Sequence, residues 1–309
     1  MIVVDVLAGG VRGGTAILYA ALGETLAERA GVINLGTEGS MLTGALAAYA
    51  VTAGTGDPWA GVLAGAFAGG LLAAVHAFMV LTRGANQLAT GLVVLFLGLG
   101  LTSMFGAAYV GRAISPFQPY PIPGLAEIPW LGPVLFDHDP LVYASYLLAP
   151  ALWWLLFRTR PGLVLRGAGE RPAVLATYGH SPAFARYLAV VGGGLLAGIG
   201  GAHLSTAYAN AWFENMTAGR GFIAVALVIF AAWHPLRAVG GAYLFGAALA
   251  LSPALQARGY GFNQFVLDAL PYLVTIAALI VLGRRQVNAA PEDLSRQFDA
   301  RVFDLTPTR

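Results

Sequence analysis

The sequence of 309 residues contains no cysteine and no lysine, and only 10% of its residues are charged. The absence of cysteine excludes a disulfide framework, a thiol nucleophile and a cysteine metal site. The absence of lysine excludes a P-loop lysine and a Schiff-base lysine. A soluble domain has about a quarter charged residues, whereas 58% of this chain is hydrophobic and its mean hydropathy is +0.71. We therefore predict an all-α integral membrane protein that crosses the bilayer several times.

Motifs for catalysis and nucleotide binding are also missing. No H-E-x-x-H, G-x-S-x-G or Walker pattern occurs, and the five histidines form no pair at helical ligand spacing. We therefore predict no catalytic residue, no metal site and no cofactor of its own, and a chain that contacts lipid and not nucleic acid. Energy for any pumping must come from another subunit or from an ion gradient.

About nine apolar segments are candidates for spanning helices, each of which needs about 20 apolar residues. The Arg-rich segment 158–186 marks the cytoplasmic side, because short basic loops remain there. Counting from it places the N-terminus and the proline-rich loop 109–139 outside and the tail 284–309 inside, with residues 1–283 as the transmembrane domain. Weak boundaries near the N-terminus allow eight to ten spans. The predicted spans are 3–22, 39–54, 59–81, 88–108, 140–157, 186–209, 221–232, 239–255 and 265–283.

A polar stretch between residues 24 and 44 interrupts the first apolar segments. Its charged residues Glu24, Glu28, Arg29 and Glu38 are costly in lipid, so we expect them to face a bundle interior or a watery cavity. Interspersed glycines predict a helix that stops, turns and restarts inside the protein. For Glu24, Glu28 and Arg29 we expect ion pairs at the cytoplasmic edge of the bundle, in preference to contact with a substrate.

A second glycine-interrupted stretch repeats this pattern later in the chain. Residues 215–221 open the predicted seventh span as residues 34–39 open the second, and by our count the two spans run in opposite directions. Paired interruptions of this kind point to an inverted repeat around the binding site of a transporter.

Four segments, in order along the chain, carry a resemblance to one family. They read GETLAERAGVINLGTEGSMLTGALAAY, RGAGERPAVLATYGHSPAFARYLAVVGGGLLAGIGGAHLS, ENMTAGRGFIAVALVIFAAWHPLRAVGGAYLFG and LDALPYLVTIAALIV. Together they resemble permease subunits of ABC importers of the branched-chain amino acid, simple sugar and nucleoside group. The first segment looks most like the nucleoside-type permeases.

The resemblance implies the partners and the location of the chain. Such a subunit forms half of a translocation pathway and pairs with a second related permease. It also implies a cytoplasmic ABC ATPase that binds ATP and magnesium, and an extracytoplasmic substrate-binding protein. The chain itself is then a multi-pass transport subunit of a bacterial or archaeal cell (inner) membrane, without enzymatic activity of its own.

Polar side chains at the two interruptions and after the turn at residue 83 are the candidate pathway residues. Amides donate and accept hydrogen bonds, which suits the base edge and the ribose hydroxyls of a neutral nucleoside. The alternative is that they only cap helices or satisfy turns, with Asn34 or Thr37 as the cap and Glu38 in the first helical turn. Arg220 is interpreted as an interfacial anchor. The candidates are Asn34, Glu38, Asn86, Gln87, Thr90, Asn215 and Thr217.

The segment 158–186 matches the coupling loop of the resembled family. Within it, Pro172 is expected to open a short helix and Gly179 to end it, and Ser181 caps the next span. The resemblance implies contact of this loop with the ATPase, although a solvated basic loop explains the arginines without any docking. The residues expected at that contact are Arg166, Gly169, Glu170 and Arg171.

The function expected from the sequence is thus nucleoside import by alternating access. Within the family, simple sugars or branched-chain amino acids are the alternative substrates. From other classes, an ion-coupled secondary transporter or channel would need no ATPase, and a membrane scaffold would need no polar breaks inside its bundle.

Overall fold

The computed structural model describes residues 2–259 and 290–297, together with positions 266, 269, 270, 273, 276, 277 and 280. This part of the chain is mainly helical, as predicted. Most of the predicted last span, 265–283, and the greater part of the tail lie outside the described residues. The helices are α1 (Ile2–Arg29), α2 (Thr37–Thr55), α3 (Pro58–Ala77), α4 (Gln87–Gly106), α5 (Leu131–Leu135), α6 (Pro140–Arg158), α7 (Arg160–Glu170), α8 (Pro172–Thr177), α9 (Pro182–His203), α10 (Arg220–Phe230), α11 (Pro235–Gln256) and a C-terminal helix, Glu292–Gln297.

Six helices among the described residues are long and apolar enough to cross a membrane: α1, α3, α4, α6, α9 and α11, counted with the short turns that extend three of them. Helix α10 has 11 residues, so it is only about 16 Å long and cannot cross a hydrocarbon core of about 30 Å. The predicted segment 221–232 is therefore a half-helix that needs protein around its ends. The total of nine spans stays a prediction.

Small residues bring the long helices into direct backbone contact. Gly23 of α1 faces Gly193 of α9, and Gly200 of α9 faces Ala16 of α1. Because the two pairs occur in opposite order, α1 and α9 are antiparallel. Close approach at small residues is the usual way in which helices pack inside lipid, where no hydrophobic effect drives them together.

Helices α1 and α9 each pack against helices from the other half of the chain. Helix α1 contacts α10 and α11, whereas α9 contacts α2 and α3. Gly10 faces Ala247 and Gly14 faces Ala242, so α11 runs antiparallel to α1. The facing residues of α3 and α9 are likewise in reverse order. Each of these two helices thus packs mainly on helices of the opposite half of the sequence, an arrangement that is consistent with the predicted inverted repeat.

The Arg-rich segment forms two short helices where a single one was expected. Pro172 starts α8, and Gly179 adopts a left-handed φ of 80° just beyond it, as predicted. The Ser181 side chain caps α9 by accepting a hydrogen bond from the amide of Phe184. Helix α7 precedes them, capped by Thr159. Loop 109–139 contains the single-turn helix α5 and an antiparallel pair of two-residue strands, β1 (Tyr120–Pro121) and β2 (Asp137–His138).

Candidate functional site

The chain re-enters the bundle after α1 ends at Arg29. Residues 30–36 are not helical, and α2 begins at Thr37. The amide of Ile33 donates to Gln87 Oε1 (2.9 Å) at the start of α4, and Gly98, further along α4, faces Gly39. Eleven helical residues separate these two contacts, so the segment rises about 16 Å along α4. This confirms the predicted interruption, and we call residues 30–39 the re-entrant segment.

Glu24 anchors the re-entrant segment from inside α1. Its carboxylate is buried and accepts hydrogen bonds from the Asn34 amide (2.7 Å) and from Thr37 Oγ1 (2.8 Å). Asn34 Oδ1 accepts from the Gly36 amide and so closes the turn. The expectation that Asn34 or Thr37 caps α2 is wrong, because Gly36 occupies the N-cap position and has no side chain to do so.

Glu38 caps a helix that lies far away in sequence. It occupies the first turn of α2, yet its Oε1 accepts from the Gly219 amide (2.8 Å) and its Oε2 from the Gly221 amide (2.5 Å). A carboxylate is favourable at a helix N-terminus, where amides are unpaired and the dipole is positive. The contact is close, since a Cβ on Gly221 would lie 2.5 Å from the Glu38 Cα. The carboxylate therefore joins α2 to α10.

Residues at the end of α1 bind the other end of α10. Arg29 donates to the carbonyl oxygens of Trp233 (3.0 Å) and Ala232 (3.3 Å), and a cation is favourable at a helix C-terminus. Glu28 accepts a hydrogen bond from the Trp233 indole (2.5 Å). The expected ion pairs among Glu24, Glu28 and Arg29 are not formed, because each of these groups is held by a different partner.

His234 adjoins this end of α10, at the N-cap of α11. Its ring stacks on Phe157. Burial, followed by the positive charges of Arg237 and Arg29, lowers the pKa of His234 and so disfavours its charged form.

The two caps fix the direction of α10. Its N-terminus lies beside the start of α2 and its C-terminus beside the end of α1, so α10 runs parallel to α1. Helix α2 is antiparallel to α3, since Gly61 faces Ala48 and Gly65 faces Gly44. Helix α3 is antiparallel to α9, and α9 is antiparallel to α1, so α2 runs antiparallel to α1. Since α10 is parallel to α1, α2 and α10 run in opposite directions. An inverted repeat requires opposite directions for this pair of helices.

The other predicted pathway residues are divided between helix caps, turns and the bundle interior. Asn86 is exposed and caps α4 by accepting from the Ala89 amide. Asn215 is exposed in a left-handed turn with φ of 56°. Thr90 and Thr217 are buried, and Thr217 Oγ1 has no hydrogen-bond partner among the described residues. Contact of any of these residues with a substrate stays a prediction.

A cavity of about 270 Å³ lies beside the start of α10. Arg220 lines it and is partly buried, so the interpretation of this residue as an interfacial anchor missed its position. A charged residue inside an apolar run was the available signal, because ionisable groups in membrane segments usually face the bundle interior. The cavity is lined by Leu204, Tyr208, Ala209, Phe213, Met216, Ala218 and Arg220.

The predicted ATPase-contact residues differ in exposure. Arg166 turns inward, donating to the Leu156 carbonyl (2.9 Å), and Gly169 is buried against the backbone of Arg29. Glu170 and Arg171 are exposed at the junction of α7 and α8. Beside them lies a groove of about 570 Å³ with a largely apolar lining. Docking through these residues stays a prediction.

The C-terminal helix Glu292–Gln297 rests on this junction. Glu170 accepts from the Glu292 amide (3.1 Å), and Arg171 lies 3.4 Å from the Glu292 carboxylate. Arg186 forms an ion pair with Asp293 (2.6 Å) and also donates to the carbonyl oxygens of Ala30 and Ala168. Arg186 therefore links the re-entrant segment, α7 and the C-terminal helix.

A polytopic helical bundle with a capped half-helix and a re-entrant polar segment is typical of the membrane-spanning component of a transporter. The chain belongs to the family described as branched-chain amino acid transport system / permease component, which matches residues 6–282. It is therefore the permease subunit of an ABC importer and a multi-pass protein of the cell (inner) membrane, which confirms the class predicted from sequence.

Three relatives resemble the chain over most of their length. The putative glucose ABC transporter permease protein TsgC13 of Haloferax volcanii is 42% identical, over 87% of this chain and 88% of the relative. The guanosine ABC transporter permease protein NupQ of Bacillus subtilis is 35% identical, over 89% and 91%. The nucleoside ABC transporter permease protein NupC of Lactococcus lactis is 31% identical, over 87% and 90%. No solved structure gives a significant match.

Proposed function

We propose that this subunit translocates nucleosides by alternating access. Two of the relatives carry nucleoside names, at 35% and 31% identity, and the first sequence segment resembles the nucleoside-type permeases. The glucose name of the relative at 42% identity makes a simple sugar the alternative substrate within the family.

The observation that carries the proposal is that the buried carboxylates around the re-entrant segment are already hydrogen-bonded within the protein. Glu24, Glu28 and Glu38 each accept hydrogen bonds from donors of the protein itself. A zwitterionic amino acid needs an acceptor for its ammonium group, and these carboxylates are already engaged. Losing those contacts would leave buried donors unpaired, at a cost of about 1–3 kcal/mol each. An uncharged substrate therefore suits this region better.

The partners proposed are those of an ABC importer: a second related permease, a cytoplasmic ATPase and an extracytoplasmic binding protein. We place the ATPase at the junction of α7 and α8, where Glu170 and Arg171 are exposed beside an apolar groove. Movement of α7 would reach the end of α1 directly, because Gly169 lies against the Arg29 backbone and Arg186 binds the Ala30 carbonyl. The re-entrant segment follows immediately and carries Glu38, which holds α10.

The test is the ATPase activity of the reconstituted complex with its binding protein. Uridine, inosine, adenosine, glucose and leucine would be added one at a time, and the complex without binding protein is the control. We expect stimulation by nucleosides only. Stimulation by glucose alone would retain the family and replace the substrate. Uptake driven by an ion gradient without any associated ATPase would support an ion-coupled transporter instead.

A further inference from the structure

The segment before α10 descends along α4 without forming a helix. Residues 209–219 consist of turns and irregular backbone. A Cβ on Gly106, near the end of α4, would lie 2.5 Å from the Trp212 indole nitrogen, and the Ser103 hydroxyl of α4 donates to the Glu214 carboxylate. The contacts on α4 thus move away from the end of that helix as the chain proceeds towards α10.

The depth of Glu214 in the membrane follows from its contact with α4. The apolar span that contains α4 has 23 residues, Gln87–Tyr109, so it is about 34 Å long. Ser103 precedes Tyr109 by six residues and therefore lies about 9 Å inside the end of the span. A hydrocarbon core of about 30 Å, centred on this span, begins about 2 Å from its end. Ser103 and Glu214 therefore lie at the depth of the hydrocarbon core.

The side chains at this depth are exposed in the subunit. Charged groups and irregular backbone inside a membrane almost always face protein or a water-filled cavity. The cavity of about 270 Å³ beside α10 is lined in part by this segment. Discontinuous helices such as α2 and α10, which Glu38 joins here, form the binding sites of many transporters. The exposed residues of the segment include Phe213, Glu214, Asn215 and Ala218.

We propose that this surface lines the translocation pathway and that Glu214 binds the hydroxyl groups of a sugar ring. An ionised carboxylate only accepts hydrogen bonds and has about four lone-pair sites, of which the Ser103 hydroxyl uses one. The exposed Asn215 amide can donate and accept, and the Phe213 ring, 49% exposed, offers apolar surface to the ring face. This inference rests on the proposed function and deepens it, because ribose and a simple sugar share neighbouring hydroxyls.

An amino acid fits this surface less well. Its ammonium group could bind Glu214, but its carboxylate would then need a cation close by, and segment 209–219 contains no basic residue. The next residue, Arg220, donates to the carbonyl oxygens of Met216 and Thr217, and its Nε is buried. A hydroxylated ring needs no cation.

A second permease packed on this surface is the other arrangement to test. It would have to supply a charged donor for Glu214, because burying an unpaired charge is strongly unfavourable. It would also leave the exposed Asn215 amide and the adjoining cavity without a role in transport. The pathway explains the carboxylate, the amide and the cavity together.

Cysteine labelling tests the location of the surface. The native chain contains no cysteine, so Glu214→Cys introduces a single thiol, and Phe67→Cys is the control at an exposed apolar position of α3. A charged thiol reagent that cannot cross the membrane would be added to the reconstituted complex alone, with inosine or with glucose. Modification would be read on this subunit by mass spectrometry.

We expect Glu214→Cys to react, to lose most of this labelling when the transported compound is present, and Phe67→Cys to stay unmodified. A Glu214→Cys thiol that does not react, or that reacts equally with and without both compounds, would overturn the inference. Where Glu214→Cys does not assemble, Asn215→Cys takes its place with the same outcomes.

Substrate pairs that differ by one hydroxyl test the chemistry. Initial uptake of inosine against 2′-deoxyinosine, and of glucose against 2-deoxyglucose, would be measured for wild type, Glu214→Ala and the control Glu127→Ala, an exposed acid in loop 109–139. All variants use the same binding protein, so a changed ratio reports on the permease. Losing a hydrogen bond to a charged group corresponds to a change of about tenfold or more.

We expect Glu214→Ala to lower the preference for inosine over 2′-deoxyinosine by about tenfold and Glu127→Ala to leave it unchanged. The same loss in the glucose pair, without inosine uptake, would retain this inference and replace the nucleoside of the proposed function by a simple sugar. Unchanged ratios in an active Glu214→Ala complex would overturn the inference and leave the proposed function standing. If Glu214→Ala is inactive, the labelling result decides.

Discussion

The capping of α10 by Glu38 is the contact whose removal is most informative. In Glu38→Ala, the buried amide of Gly221 and the partly buried amide of Gly219 both lose their acceptor. An unsatisfied buried donor costs about 1–3 kcal/mol, so we expect a loss of about that size from Gly221 and a smaller one from Gly219. Glu38→Gln retains one acceptor oxygen but loses a charge-assisted hydrogen bond, worth about 1.5–3 kcal/mol. Against a folding stability of about 5–15 kcal/mol, the alanine variant is severely affected.

The assay is thermal unfolding of the purified permease in detergent, followed by the fraction that stays monodisperse after heating. We expect the midpoint to fall in the order wild type, Glu38→Gln, Glu38→Ala. Glu127→Gln is the control, because Glu127 is an exposed acid in loop 109–139. An alanine midpoint equal to that of wild type would refute the capping argument.

The same variants separate the cap from the pathway role expected for Glu38. If Glu38 serves only as a cap, the uptake lost in Glu38→Gln should follow the loss of thermal stability, and the KM for the substrate should be unchanged. A raised KM with an unchanged midpoint would assign Glu38 to substrate contact instead.

Three further predictions concern packing and coupling. Glu170→Ala and Arg171→Ala should reduce co-purification of the ATPase and uncouple transport while membrane insertion is normal; unchanged pull-down and uptake would remove the docking assignment. Gly201→Ala drives a methyl into the backbone of α2 and should cost at least about 1–3 kcal/mol, whereas Gly54→Ala meets nothing within 4 Å; equal thermal midpoints would contradict this. Asp293→Asn removes a partly exposed ion pair, so it should cost only about 1 kcal/mol or less but hasten proteolysis of the C-terminal helix.

Local sequence patterns accounted for much of the architecture. The glycines and Asn34 predicted the interruption after α1, and Pro172, Gly179 and Ser181 predicted the boundaries of α8 and α9. Each of these is decided by the turn or cap chemistry of a few adjacent residues. The length of α10 was harder to predict, because a half-helix whose ends are capped by the protein has the same hydropathy as a short spanning segment.

The partners of the charged residues could not be predicted from neighbouring residues. Charge and neighbourhood predicted ion pairs among Glu24, Glu28 and Arg29, yet Arg29 bonds to a carbonyl 204 residues away. The Gly219 and Gly221 amides that donate to Glu38 lie 181 and 183 residues away in sequence. A helix terminus with unpaired backbone groups competes with a charged side chain as a partner, and its place is unknown until the helices pack.

The sequence by itself determined that this is a multi-pass membrane protein with two polar interruptions and no nucleotide-binding motif, and the resemblance of four of its segments to one family indicated a permease subunit. Hydropathy and missing motifs are properties of composition and of neighbouring residues, so they can be read without a fold. Only the tertiary structure decided that α10 is held by a carboxylate at one end and an arginine at the other, and that Arg220 faces a cavity. In a membrane bundle the lipid-facing and buried surfaces are both apolar, so the hydrophobic pattern does not reveal which helices meet.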